Sequence, residues 1–267
     1  MTMTSGEAVT VADLERIRMV GSALRKTGRP VILVPLGSDV HAGHIALIRA
    51  ARSVPRACVV VAYSGDADDP IFAREKVDVV WHVQDSDLWP SGRRVRLAAQ
   101  TAFEDVDDEL TRIIALIGAL GPSEVVVGEK DWELAWAVQR AVRDLHLPTA
   151  VKSVPTVRMP NGLAISLRNT QVAEDCREQA SALSAALVAG AHVAEQGREA
   201  VVRVARDVLA AAGIEPEYLE LTARDMGPAP ETGDGRLLVA AEIGGVRLID
   251  NVGVPIGIGF RNLDGEA

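Results

Sequence analysis

Two of the five histidines in this 267-residue chain, His41 and His44, stand three positions apart around Gly43. They lie in the run VPLGSDVHAGH, straight after an apolar stretch. Turns favour Gly, Asn, Asp and Pro for conformational reasons that imidazoles do not serve. At a strand-to-helix junction, however, the pair has a chemical use. The first backbone N–H groups of a helix lack partners and carry the positive end of its dipole, which makes the junction an anion site. Two imidazoles there can donate to phosphate oxygens, more strongly as charge builds on a pentavalent phosphorus. Gly43 removes a side chain so that a nucleotide can approach the backbone. The plainer reading is two surface imidazoles on a first helical turn, with glycine tolerated beside them.

Two further stretches carry the same kind of chemistry. VVVGEKD, Val125–Asp131, also runs from an apolar strand through Gly128 into a helix, and so reaches the same sheet edge. Lys130 there meets phosphates as a point charge, and Asp131 either caps the helix or holds a ribose hydroxyl. The plain alternative is ordinary surface charge at a helix start. In VPTVRMPNGLAISLRN, Val154–Asn169, Ser166 and Arg168 suit a mobile cationic lid over a triphosphate, against the alternative of a solvated loop arginine.

The elements that must position these residues follow from apolar periodicity. Helical spacing runs from Val11 to Leu24 and closes near Gly28, a strand follows at Pro30–Val34, and a second helix begins near Gly43. Short β-branched runs recur at Ala57–Tyr63, Val77–Val83 and Glu124–Gly128. A helix covers TRIIALIGAL before a Gly-Pro stop, another covers roughly Asp131–Leu145, and a strand lies near Thr149–Ser153. Strands alternating with helices imply βαβ units in a doubly wound parallel sheet, which binds ligands beyond the carboxyl ends of its strands. After Pro155 the pattern changes. An Asn161–Gly162 turn suggests a hairpin. Helices follow at about Glu174–Gln196 and Arg198–Ala212, then strand-like EYLEL, RLLVAAEI and VRLIDN. The fold expected is α/β: a Rossmann-like doubly wound parallel sheet over residues 1–155, with a smaller C-terminal α+β domain over 156–267.

Composition narrows the function classes. Hydrophobic residues make up 48% and aromatic residues 3%, so the core is aliphatic. A net charge of −9 without a basic stripe argues against nucleic acid as partner. Cys58 and Cys176 are too far apart to suggest a metal motif or a disulfide framework, which fits a cytoplasmic protein. No apolar run approaches the ~18 residues of a membrane span, and the N-terminal residues lack the pattern of a signal peptide.

Taken in order, PLGSDVHAGH, VGEKDWEL and PTVRMPNGLAISLRN resemble the P-T-M-G-A-L-H-x-G-H, F-G-E-K-D-Y-Q-Q and P-T-V-R-x-x-D-G-L-A-x-S-S-R-N motifs of the pantothenate synthetases (pantoate–β-alanine ligases). These are members of the HxGH nucleotidyltransferase superfamily. VAAEIGGVRLIDN is similar to that family's last strand pair, so the resemblance spans nearly the whole chain. It implies ATP and Mg²⁺, an acyl-adenylate formed with loss of pyrophosphate, and an amide formed as an amine displaces AMP. It also implies a homodimer acting on a small carboxylic acid and an amine. By the same resemblance His41, His44, Lys130 and Arg168 are catalytic. Pro35, Gly43, Gly128, Lys130, Asp131, Val157, Ser166 and Arg168 contact the nucleotide, and Gly37, Tyr63 and Leu134 line the substrate pocket. No protein ligand is assigned to the metal.

The departures from the family pattern are concentrated on the acid side. The family holds pantoate with two glutamines. One belongs to a segment like F-V-N-P-L-Q-F, which reads AYSGDADDP here, and the position of the other is Leu134. Gly37 replaces the motif's methionine, Ser38 its first glycine and Leu167 a lid serine, and the loop between Tyr63 and Val77 is short. A site built around hydrogen bonds to substrate hydroxyls loses much of its selectivity when a buried amide goes. The reading is therefore an ATP-dependent acid–amine ligase with altered acid specificity. The alternatives are a genuine pantothenate synthetase, a nucleotidyltransferase that keeps the nucleotide in its product, and a non-catalytic nucleotide-binding relative.

Overall fold

The computed structural model describes residues 5–258. The chain divides into two compact units, residues 1–157 and 158–267.

The first unit is built on a six-stranded sheet in the order β1-β4-β3-β2-β5-β6, with every pair parallel. Its strands are β1 (Val9–Val11), β2 (Val31–Pro35), β3 (Cys58–Tyr63), β4 (Val79–His82), β5 (Glu124–Gly128) and β6 (Ala150–Val154). The helices between them are α1 (Leu14–Lys26), α2 (Ala42–Arg52), α3 (Pro70–Arg74), α4 (Asp85–Leu88), α5 (Asp107–Leu120) and α6 (Trp132–Asp144). Strand residues alternate between two cores. Val31, Leu33, Val60 and Val125 face α1, α5 and α6, whereas Ile32, Val34, Val59, Val61 and Val126 face α2 and α3. Burial on both faces explains why these strands read as continuous apolar runs.

The strand order reverses between β2 and β5. From β2 the chain steps outward to β3 and β4, then returns to the other side for β5 and β6. The loops leaving β2 and β5 therefore flank the switch point, where open α/β sheets form a crevice. His41 and Lys130 are on those two loops.

One expectation fails at the N-terminus. Val11 belongs to edge strand β1, paired with Trp81 of β4, and not to the first helix. Asp13, whose carboxylate accepts from the Arg16 N–H at 2.6 Å, caps α1 instead.

The second unit packs α7 (Arg177–His192) and α8 (Arg198–Ala211) on an antiparallel sheet of β7 (Tyr218–Ala223), β8 (Gly233–Ile243) and β9 (Val246–Ile256). The expected hairpin at Asn161–Gly162 is a tight turn with a single bridge, Arg158 to Ala164. Gly162 takes its positive φ of 88° without a Cβ penalty. Buried Asp250 receives the Arg158 guanidinium through both oxygens, at 2.6 and 3.0 Å. Among the described residues no helix is long and apolar enough to cross a membrane.

Candidate active site

His41 is the N-cap of α2. Its backbone is extended, and its Nδ1 accepts the Gly43 N–H at 3.1 Å. A ring nitrogen that accepts carries no hydrogen, so the neutral ring's proton sits on Nε2 as a donor. The His44 ring stacks on that of His41 with centroids 3.8 Å apart and 22° between planes. His44 Nδ1 is buried and has no hydrogen-bond partner. Stacked imidazoles do not readily both carry charge. His44 is held down to about 4, first by burial and then by His41, while Asp39 and Asp131 pull the other way. His41 is also lowered, by burial and then by Lys130.

Gly43 has a local reason that the sequence did not reveal. A Cβ there would lie 2.8 Å from His41 Cε1, so the residue must be glycine for His41 to fold back as a cap. Its φ is not positive, so the requirement is space and not backbone conformation.

The β5 loop brings its charges to the same place. Lys130 lies close enough to depress His41, and Asp131 close enough to raise both imidazoles. Lys130 Nζ is 3.6 Å from Asp131 Oδ1. Asp131 occupies the N-cap position of α6 but makes no side-chain cap, which removes the capping alternative. The start of α6 thus joins the start of α2 at the switch point, with two imidazoles and an ammonium between them.

On the acid side the loops after β2 and β3 are tied together. The Tyr63 hydroxyl donates to the Ser38 carbonyl at 2.6 Å, and the Ser64 N–H donates to the Gly37 carbonyl at 3.1 Å. Tyr63 is buried and its hydroxyl committed, so it ties the two loops together. Burial, followed by Asp39, Asp69 and Asp66, pushes its phenol up. Gly37 is exposed, with nothing within 4 Å of where a Cβ would stand. Leu134 packs half-buried against the core beside α5 and α6. Pro35 closes β2 and Gly128 closes β5, both half-buried, and Val157 ends the first unit.

The pair Ser166 and Arg168 belongs to the second unit. Ser166 caps the 3-10 turn Leu167–Thr170, accepting the Arg168 N–H at 3.2 Å, and the exposed Arg168 reaches the Arg247 carbonyl at 3.5 Å.

A profile of the family described as Pantoate-beta-alanine ligase matches residues 63–253. A pantothenate synthetase of Corynebacterium jeikeium is 39% identical over 292 residues, covering 99% of this chain and 95% of that protein. The chain belongs to the pantoate–β-alanine ligase family. It is an ATP-dependent acid–amine ligase by that membership. A pantothenate synthetase of Mycolicibacterium smegmatis is 36% identical over 95% of this chain and 90% of its own length. Among solved structures, the pantothenate synthetase of Thermus thermophilus superposes with a TM-score of 0.79 at 27% identity, covering 91% of this chain and 98% of that one. The pantoate–β-alanine ligase of Francisella tularensis, solved with a β,γ-ATP ligand and β-alanine, shares the fold at 22% identity and a TM-score of 0.73.

Within this ligase fold, three candidates escaped the sequence reading. Asp39 acts on His44 through its backbone and its charge, and Thr156 has a buried hydroxyl without a partner. Arg112 is buried at the carboxyl edge of the sheet. Only Arg112 left a trace, as the one charge inside the apolar run TRIIALIGAL.

Proposed function

We propose that this ligase joins a small carboxylic acid to a primary amine through an acyl-adenylate, with an acid pocket remodelled from the one that holds pantoate in its family. The observation that carries the reading is the stacked His41–His44 pair at the start of α2, facing Lys130 and Asp131 at the start of α6. The donors fit a triphosphate: His41 Nε2–H and the Lys130 ammonium, with His44 stacked on His41 and bonded to the backbone of Asp39. Mg²⁺ would be held chiefly by the phosphate oxygens, with one or two carboxylates at most assisting.

In the first step a carboxylate oxygen attacks the α-phosphorus and pyrophosphate departs. His41, His44 and Lys130 offset the charge that builds on the phosphorus oxygens. In the second step the amine attacks the acyl carbon and AMP departs with the carboxylate oxygen. The rate gain from the protein comes from positioning and charge stabilisation. Ser166 and Arg168 are assigned to the triphosphate by their place in the family motif alone.

The acid pocket supports altered specificity because neither glutamine position offers an amide. Leu134, at one of those positions, packs against the core, and the Ser64 N–H is held by the Gly37 carbonyl. The second reading, a genuine pantothenate synthetase, is favoured by relatives of that name at 36–39% identity across nearly the whole chain. The deciding experiment measures AMP release from ATP and Mg²⁺ with pantoate and β-alanine, then with a panel of other acids and amines, with mass spectrometry of the products. The expected result is AMP and an amide from an acid more apolar than pantoate, with pantoate a poorer substrate. Pantothenate formed at the highest kcat/KM of the panel would establish the second reading. Silence with every pair would overturn both.

A further inference from the structure

Arg112 is a cation with little water and no tight partner. It sits in α5 beside Ile113 and Leu116 and is 9% exposed. Its Nη1 and Nη2 donate to the carbonyls of Leu36 and Val83, each at 3.4 Å, and its Nε lies 3.4 Å from Asp85 Oδ1. All three contacts are at the long limit for hydrogen bonds. Asp85 is largely open to solvent, with 66% of its side chain exposed, so its charge is well screened. Arg158 shows what a satisfied guanidinium looks like in this chain, with the Asp250 oxygens at 2.6 and 3.0 Å and the Asn251 carbonyl at 3.2 Å. Desolvating a cation is costly, and long contacts to carbonyl dipoles return little of that free energy.

The place of Arg112 matters as much as its underused donors. Leu36 and Val83 are the first residues beyond the carboxyl ends of β2 and β4, so the guanidinium spans the edge across the end of β3. Leu36 begins the loop that ends at His41, and Gly37 beside it leaves open space. Glu109, one turn back on α5, feels both Arg112 and Asp131, which ties this edge to the start of α6. Burial raises the Glu109 carboxyl above the usual range, while Arg112 pulls it down.

We propose that Arg112 anchors the carboxylate of a substrate at this edge, receiving it on the guanidinium fork. This rests on the ligase reading above. A planar fork of donors matches a carboxylate in two-point geometry, which a lysine cannot reproduce. The anchor replaces on the substrate side what the missing glutamines no longer supply.

The test compares wild type with Arg112→Met and Arg112→Lys in two assays. Exchange of labelled pyrophosphate into ATP with acid alone reports the first step, and amide formation reports both. Loss of the anchor is expected to raise one substrate KM by about 30-fold or more in Arg112→Met, with Arg112→Lys intermediate. A raised acid KM in the exchange assay assigns the anchor to the acid. Intact exchange with a raised amine KM assigns it to the amine's own carboxylate. In that second case wild type should prefer β-alanine over propylamine strongly, and Arg112→Met should lose the preference. Urea denaturation guards against a purely structural effect, because replacing a poorly paired buried charge by Met is often neutral or stabilising. An unchanged KM for both substrates in a folded Arg112→Met protein overturns the proposal. So does a fall in urea midpoint with unchanged kinetics, which marks Arg112 as a structural tie. A wild type that turns over nothing counts against the ligase reading instead. Calorimetry of pantoate and of β-alanine with wild type and Arg112→Met then decides the anchor directly, and equal binding by both proteins overturns it.

Discussion

A histidine that stays neutral near pH 7 works as a hydrogen-bond donor and not as a fixed charge. His44 is such a group, held down to about 4 by burial and by its stacked partner. Its ordinary value is 6.5, so between those two pH values the unfolded chain takes up a proton that the folded chain refuses. The stability linked to this ring is fully present above pH 6.5 and is lost as pH falls towards 4. Urea denaturation across that range should show stability declining in wild type and a shallower decline in His44→Asn. Gly43→Ala makes a second residue-scale case. The added methyl displaces His41 and removes a cap worth about 1 kcal/mol, while alanine returns up to about 1 kcal/mol of helix propensity. The two nearly cancel, so the variant should melt within a few degrees of wild type and still lose at least ~10-fold in AMP release. At this scale the sequence pointed to the imidazoles and the lysine of the first two motifs, which the structure brings to one sheet edge, because such residues beside glycines at strand ends have few structural uses. Arg112 stayed hidden, since an arginine in a helix reads as solvent-facing until the phase of α5 is known.

Elements hold these residues through ties that no periodicity records. The long segment between α4 and α5 has no regular structure, yet it is fixed at both ends of its path. Buried Glu133, 2% exposed in α6, accepts the N–H groups of Ala102, Phe103 and Glu104 at 2.7–3.2 Å. Asp107 accepts from Ala99, and the Thr111 hydroxyl accepts from Leu97. Burial raises the Glu133 carboxyl while those three N–H groups lower it, and burial is the larger effect. Glu133→Ala would remove the acceptor of three part-buried N–H groups and should cost about 1–2 kcal/mol in urea denaturation. Amide exchange should quicken over residues 102–104, whereas an unchanged exchange pattern there would contradict the anchoring role. Strand β1 shows the complementary limit of the sequence. Val9–Val11 is too short for an alternation to register and follows the helix pattern by accident, and only pairing with β4 makes it a strand.

For the whole molecule, the parallel sheet was legible because strands buried on both faces leave β-branched runs, and the site follows from where the strand order reverses. The acid was not legible, because the loops after β2 and β3, where the sequence leads one to expect it, are tied by bonds that end on backbone carbonyls, Ser64 to Gly37 and Tyr63 to Ser38. Cys58 lies buried at the start of β3, with its thiol pushed up to about 12. If the switch-point histidines serve attack by a carboxylate on the α-phosphorus, one carboxylate oxygen must end on AMP. The most direct measurement uses pantoate, or the best acid of the panel, labelled with ¹⁸O in its carboxylate, with amine, ATP and Mg²⁺, and follows the label by mass spectrometry. One ¹⁸O is expected in each AMP formed, with a loss of about 10²-fold or more in that signal in His44→Ala. Label in orthophosphate, or unlabelled AMP accompanying the amide, would contradict it.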